Sequence, residues 1–139
     1  MLRKTICLAS LFVCMLQPLP ARTHAPANMP DLWVRQYQFA PTNDKAVRVQ
    51  VANKGNAAST ACRLEITIRK INGTPVGRTL FRVIQPIQPG QGDWVLVDAK
   101  SILPNNVSLN DTTFKLIADA KNQVSESDET NNEKWHNLN

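Results

Sequence analysis

From Pro30 onward apolar and polar residues alternate with period two, the spacing that sets one face of an extended strand against a core and the other in water. Leu32 and Val34 start a first strand, and Tyr37 and Phe39 continue its apolar face only if the strand changes face midway, as a bulge allows. Val47, Val49 and Val51 alternate with Arg48 and Gln50 in a second, and Asn53-Lys54-Gly55-Asn56 then supplies turn chemistry. The clearest strand is the third, with Cys62, Leu64, Ile66 and Ile68 on one face and Arg63, Glu65, Thr67 and Arg69 on the other. Asn72-Gly73-Thr74-Pro75 predicts a tight hairpin, because Asn-Gly adopts the positive φ angles of two-residue turns. In a fourth strand, Val76 to Ile84, Leu80, Arg82 and Ile84 oppose Phe81 and Val83. Gln85 to Gly90 contains two prolines, which give a ladder no donor, and so reads as a corner. Trp94 to Val97 is a continuous apolar run, expected to be a fifth strand buried on both faces with Trp94 in the core. Ser101 to Asp111 reads as a loop, Phe114, Leu116 and Ala118 as a sixth strand, and Lys134 to Leu138 as a seventh.

Seven short strands about 8–15 residues apart, with turn signals between them and no sustained helical periodicity, predict an all-β, immunoglobulin-like antiparallel sandwich. An open barrel is the rival architecture. The absence of helical crossovers argues against a parallel sheet.

The first residues do not fit this pattern. Arg3 and Lys4 form a basic head, Ile6 to Leu16 is an uncharged apolar run of 11 residues, and Ala25-Pro26-Ala27 is an A-x-A ending. That order is the anatomy of a secretory signal peptide. The run falls short of the ~20 apolar residues a membrane span requires. Residues 1–27 are therefore expected to be a signal peptide, and 28–139 the exported domain, beginning at Asn28. A short buried helix is the competing reading of the run. Val13 before Cys14 is not the small residue that lipid attachment requires. With Arg3, Lys4 and Arg22 removed, 13 basic and 11 acidic residues remain, a net charge of +2 in place of the full chain's +5. No basic cluster exceeds the pair Arg69-Lys70, so no nucleic-acid partner is expected. Cys62 is then the lone cysteine. It forms no internal disulfide, and its place in the third strand points to a buried thiol.

The most distinctive stretch follows the sixth strand. Asp119 and Asn122 flank a turn, Val124 is a single apolar anchor, and Glu126, Asp128 and Glu129 make a local acidic knot. Asn131-Asn132 stand where the chain re-enters the sheet and are expected to satisfy backbone groups there. This segment resembles the C-terminal signature of the CARDB family, the cell-adhesion-related domain found in bacteria. The family typically ends with an aspartate, a turn asparagine, a valine and an E-S-x-E-x-N-N run. Asp119, Asn122, Val124, Glu126, Ser127, Glu129, Asn131 and Asn132 match it. Pro30-Asp31-Leu32, Asn53-Lys54-Gly55 and the Pro89-Gly90 corner agree as well, so the resemblance runs over about residues 30–138. It implies an immunoglobulin-like sandwich on an exported bacterial or archaeal protein. Such domains usually recur as modules of large surface proteins or stand beside enzymatic domains. The three Asn-x-Ser/Thr sequons, at Asn72, Asn106 and Asn110, carry little meaning in such a source.

Candidate chemistry is sparse. Asp119, Glu126, Asp128 and Glu129, helped by the two asparagines, could supply oxygens to calcium, but the spacing is not that of an EF-hand loop. The expectation is a polar hairpin that needs no cofactor. His136 is the one histidine of the exported chain, too few with Cys62 for a multi-ligand zinc site, and no glycine-rich phosphate loop occurs. No enzyme is expected. Trp33 and Trp135, near the two chain ends, either pack together or present an aromatic binding surface, with packing favoured. The reading is a secreted, non-catalytic binding or structural module of the envelope or extracellular space, its partner a protein or glycan. The alternative is an accessory or inhibitor of a secreted hydrolase.

Overall fold

In the computed structural model of the chain, residues 28–138 are described, and the expected signal peptide, 1–27, lies outside the described residues. Seven strands form two antiparallel sheets. They are β1 (Leu32–Phe39), β2 (Ala46–Asn53), β3 (Cys62–Ile71), β4 (Thr74–Ile84), β5 (Gly92–Asp98), β6 (Thr112–Ile117) and β7 (Glu133–His136). One sheet has the order β1-β2-β5 and the other β4-β3-β6-β7. This is the immunoglobulin-like sandwich, with the fourth strand in the four-stranded sheet.

Period two in the sequence becomes two inward faces. Val47, Val49 and Val51 of β2 meet Leu64, Ile66, Ile68, Phe114 and Leu116 of β3 and β6 in one buried cluster. The register of β1 on β2 slips between Val34 and Gln36, so Arg35 is a bulge residue. That extra residue returns Tyr37 and Phe39 to the side of Leu32 and Val34, where both pack on the core. Asn72 (φ 49°) and Gly73 (φ 79°) sit between the paired residues Ile71 and Thr74, both left-handed as the hairpin requires. Ile66 is fully buried at the centre of β3. Its truncation to alanine should lower stability by about 2–5 kcal/mol. A denaturant titration showing less than about 1 kcal/mol would contradict this face assignment.

The fifth strand departs from expectation. β5 pairs only with β2, so it is an edge strand with one face on the core and one in water. Val97 is buried, but Leu96 is 58% exposed and Trp94 is only half-buried. A continuous apolar run here marks a strand with an exposed apolar outer face, and Trp94 belongs to that face. The segment from Ser101 to Asp111 is irregular, as expected, with one 3-10 turn at Leu109–Asp111. It nonetheless adds Leu103, Val107 and Leu109 to the core. Lys45 holds it down, its Nζ donating to the carbonyls of Pro104 (2.8 Å) and Val107 (2.6 Å).

Candidate functional site

The signature tail leaves β6 through a turn made by two residues with positive φ, Asp119 and Asn122, both at 47°. Short polar side chains tolerate that conformation because they bond nearby backbone. Here the Asp119 carboxylate accepts the amides of Gln123 (2.9 Å) and Val124 (2.8 Å), and Val124 inserts into the core as the expected anchor. The chain then crosses the beginning of β1. Glu126, buried, accepts the Leu32 amide on one oxygen and the Asn132 side-chain amide on the other, the latter at 3.0 Å. The Ser127 amide donates to the Pro30 carbonyl at 3.0 Å. Asp31 receives the Ser127 hydroxyl (3.2 Å) and Asn131 Nδ2 (2.9 Å). Main-chain, carboxylate and amide groups thus fasten the last loop to the first strand.

The asparagines do part of their work differently from expectation. Their side-chain amides bond carboxylates, Asp31 and Glu126, because the tail lies over the acidic start of β1. Only the main-chain carbonyl of Asn132 serves the sheet, accepting the Ala118 amide at 3.0 Å.

A second buried asparagine is the hub beneath this clasp. Asn53 Oδ1 accepts the amides of Asp31 and Gly55, both at 3.0 Å. Its Nδ2 donates to the carbonyls of Ala57 (2.8 Å) and Ile87 (2.9 Å). Ser59 completes the corner by donating its amide to Ile87 O and accepting the Ile87 amide on its hydroxyl. Gly55 is required where it stands, since a Cβ there would lie 2.6 Å from the Asp31 nitrogen and against the Met29 carbonyl. From sequence, Asn53 reads as a turn residue and Asp31 as a domain opener. Their only signal is a polar residue directly abutting an apolar strand pattern, which does not reveal what it bonds.

Electrostatics follow from burial. Desolvation pushes the Glu126 carboxyl up to about 7, with the charges of Glu129 and Asp119 adding to the rise while the Leu32 and Asn132 hydrogen bonds oppose it. Burial, reinforced by the same Asp119 and by Glu126, pushes the Cys62 thiol up to about 12, so it is protonated and unreactive at neutral pH. Asp128 is held down at about 2 by the Thr130 hydroxyl, then by Asn131 and the Thr130 amide. Of the four candidate calcium ligands, Asp119, Glu126 and Glu129 accept backbone amides and Asp128 caps its own turn. Among the described residues no three His, Cys, Asp or Glu side chains converge as a metal site.

The aromatic residues also sort differently from expectation. Trp33 and Trp135 belong to different sheets and do not stack together. Lys54 Nζ sits 5.9 Å from the Trp33 ring and Lys115 Nζ 5.6 Å from the Trp135 ring, which is 44% exposed. Both tryptophans lie on outer sheet faces. The aromatic packing between the sheets is instead made by Tyr37, Phe39, Phe114 and His136. The imidazole of His136 stacks on Phe114 with ring centroids 4.9 Å apart, and its Nδ1 lies 3.0 Å from the Tyr37 hydroxyl. That buckle closes the sandwich where β1 passes β7.

Comparison with known proteins is consistent with this architecture. A domain of a "putative cell surface protein" from Methanosarcina acetivorans, known from a solution structure, superposes with a TM-score of 0.54 at 19% sequence identity. The match covers 77% of this chain and 88% of that domain, and at such identity it speaks to the fold. No curated protein matches the chain. The model of the CARDB family matches residues 29–136, from the hub contact at Met29 through the signature tail to the buckle at His136. The chain belongs to the CARDB family.

Proposed function

We propose that the chain is an exported, non-catalytic binding module that engages a protein or glycan partner at the cell envelope or in the extracellular space. The observation that carries the reading is the placement of the signature tail. Its polar groups face inward onto β1 and onto one another, closing the sandwich, so the family signature maintains the fold and the sheet faces remain for a partner. The family match and the cell-surface description of the Methanosarcina protein support an envelope location. No helix among the described residues is long and apolar enough to cross a membrane. No nucleic-acid partner is proposed.

Two measurements on the product made from the full chain test this. N-terminal sequencing is expected to begin at Asn28, and the labelled protein is expected to bind isolated envelopes saturably, with competition by unlabelled protein. A full-length cytoplasmic chain, or no saturable retention, would overturn the proposal. Retention through a secreted hydrolase whose rate the domain changes would replace it by the accessory or inhibitor reading.

The tail is proposed to work without an ion. Thermal melts of wild type in millimolar calcium and in chelator are expected to coincide. A calcium-dependent rise of several degrees, lost in the Glu126→Gln, Glu129→Gln pair, would make the tail a calcium site.

A further inference from the structure

The outer face of the three-stranded sheet is set out by the register as three rows across β1, β2 and β5. They read Trp33–Ala52–Gly92, Gln36–Gln50–Trp94 and Gln38–Arg48–Leu96. Beyond the first row, Trp33, Arg35, Ala52, Asn53, Lys54 and Gly90 line an open depression of about 300 Å³. From this geometry we infer that the face binds an acidic polysaccharide, with uronate rings laid on Trp33 and Trp94 and their carboxylates held by Arg48, Arg35 and Lys54. The inference rests on the binding-module reading and names its partner and surface.

Four features support it. First, the charge is one-sided. Arg35, Arg48 and Lys54 stand on or beside the face, and Lys134 joins them at its β1 edge by donating to the Arg35 carbonyl at 3.0 Å. No carboxylate occupies any of the nine positions. Two carboxylates flank it on β5: Asp98 at the strand's end is offset by Lys100 at 3.8 Å, and Asp93 accepts the Trp94 amide at 2.8 Å from a position that the register sets on the opposite face. Neither Arg35 nor Arg48 has an ion-pair partner among the described residues, whereas Lys54 shares Asp31 at 3.7 Å. Unpaired guanidinium groups are forks suited to a carboxylate.

Second, each tryptophan already stands beside a cation, Lys54 by Trp33 and Arg48 by Trp94, the latter at 5.3 Å. A uronate presents the same two chemistries side by side, an apolar ring face of C–H groups and a charged carboxylate. An exposed cation–π contact is weak, so a carboxylate can draw the cation off the ring and leave the indole for the sugar. Third, Ala52 and Gly92 keep the floor beside Trp33 low, so a flat ring is not blocked, while Gln36, Gln38 and Gln50 offer amides for hydroxyl groups. Gln36 Nε2 and Gln50 Oε1 are already held together at 2.9 Å, which presents the amide pair as a fixed unit.

Fourth, the face disfavours an acidic peptide. An extended peptide gains affinity by pairing its backbone with a sheet edge, and mid-sheet backbone groups of β2 are already paired on both sides. Recognition on this face must therefore come from side chains, as it does for a sugar.

The test uses the exported protein with polygalacturonate, alginate and hyaluronate as probes, read by affinity electrophoresis and tryptophan fluorescence. Neutral dextran, polyglutamate and dextran sulfate are the comparisons. At least one uronate polymer is expected to retard migration and perturb the fluorescence, with dextran inert and polyglutamate and dextran sulfate at least tenfold weaker. Arg48→Ala, an exposed change, should weaken binding tenfold or more without moving the melting temperature. Trp33→Ala, at a half-buried indole, should weaken it as much in a protein that a thermal melt shows still folded at the assay temperature, while Trp135→Ala on the other sheet binds like wild type. Three results would overturn the inference: no binding to any uronate polymer, equal binding of polyglutamate or dextran sulfate, or full binding by the Trp33→Ala and Arg48→Ala proteins. If wild type and both variants remain saturably bound to envelopes, this surface is wrong and the binding-module reading stands. If wild type binds no envelope at all, that reading itself fails.

Discussion

Replacing Asn53 by alanine is expected to destabilise the domain by about 3–5 kcal/mol, a large share of the total stability of a domain this size. The substitution removes little volume. Its effect comes from the four main-chain groups that lose their partner together, the amides of Asp31 and Gly55 and the carbonyls of Ala57 and Ile87. A buried polar group left unpaired costs about 1–3 kcal/mol, and water reaches part of this corner once the side chain is gone, so the four do not add in full. Asn53→Asp is not expected to rescue. It keeps an acceptor for the two amides but turns an oxygen toward two carbonyl oxygens. Urea titrations of both variants check this, and a loss below about 1 kcal/mol for the alanine variant would mean that Asn53 is not the hub.

The second large effect is on pH dependence. In the folded domain Glu126 titrates near 7, against about 4.5 for the ordinary group. Below about pH 4.5 both states carry the proton, and this carboxyl leaves stability unchanged. Between about 4.5 and 7 the unfolded chain has released its proton while the folded domain keeps it, so stability falls as pH rises, at up to ~1.4 kcal/mol per pH unit. Well above 7 both forms are ionised and the loss is complete, roughly 3–4 kcal/mol in all. The fold has an acceptor for that proton, because the side-chain oxygen of Asn132 is buried without a partner and an amide rotation brings it to Glu126. Glu126→Gln removes the titration and uses the same oxygen, so its stability should be flat across this window. Denaturant titrations at half-unit pH steps decide it. A wild-type curve as flat as that of the glutamine variant would contradict the burial of an uncharged Glu126.

The strands were legible because a half-buried strand repeats every two residues, and β3 does so from Cys62 to Ile68 without a break. The bulge at Arg35 was legible for the same reason, since Val34 and Tyr37 lie at odd spacing and share a face only if one extra residue intervenes. The run Trp94 to Val97 misled because continuous apolarity does not distinguish a strand covered on both sides from an edge strand with apolar residues in water. Strand order decides between them, and strand order is non-local. The core residues of the 101–111 segment escaped for lack of periodicity. In the tail, the turn at Asp119 and the anchor Val124 are local features, visible in residue types. The bonds from Glu126 to Leu32 and from Asn131 to Asp31 span most of the chain and depend on the two ends meeting. The same distance hid Asn53 as a hub, and it separated Trp33 from Trp135, whose closeness in the closed chain was an expectation the two-sheet arrangement removes.

That meeting of the ends makes the family signature the closure of the sandwich. Amide hydrogen exchange by NMR tests it most directly at Leu32, Asp31 and Ser127, whose N–H groups bond Glu126, Asn53 and Pro30. Strand β3 is the internal standard for global opening. All three amides are expected to exchange as slowly as the amide of Ile66, and Asn53→Ala is expected to speed Asp31 far more than Ile66. Exchange of Leu32 and Ser127 at the rate of free peptide, with Ile66 fully protected, would contradict it.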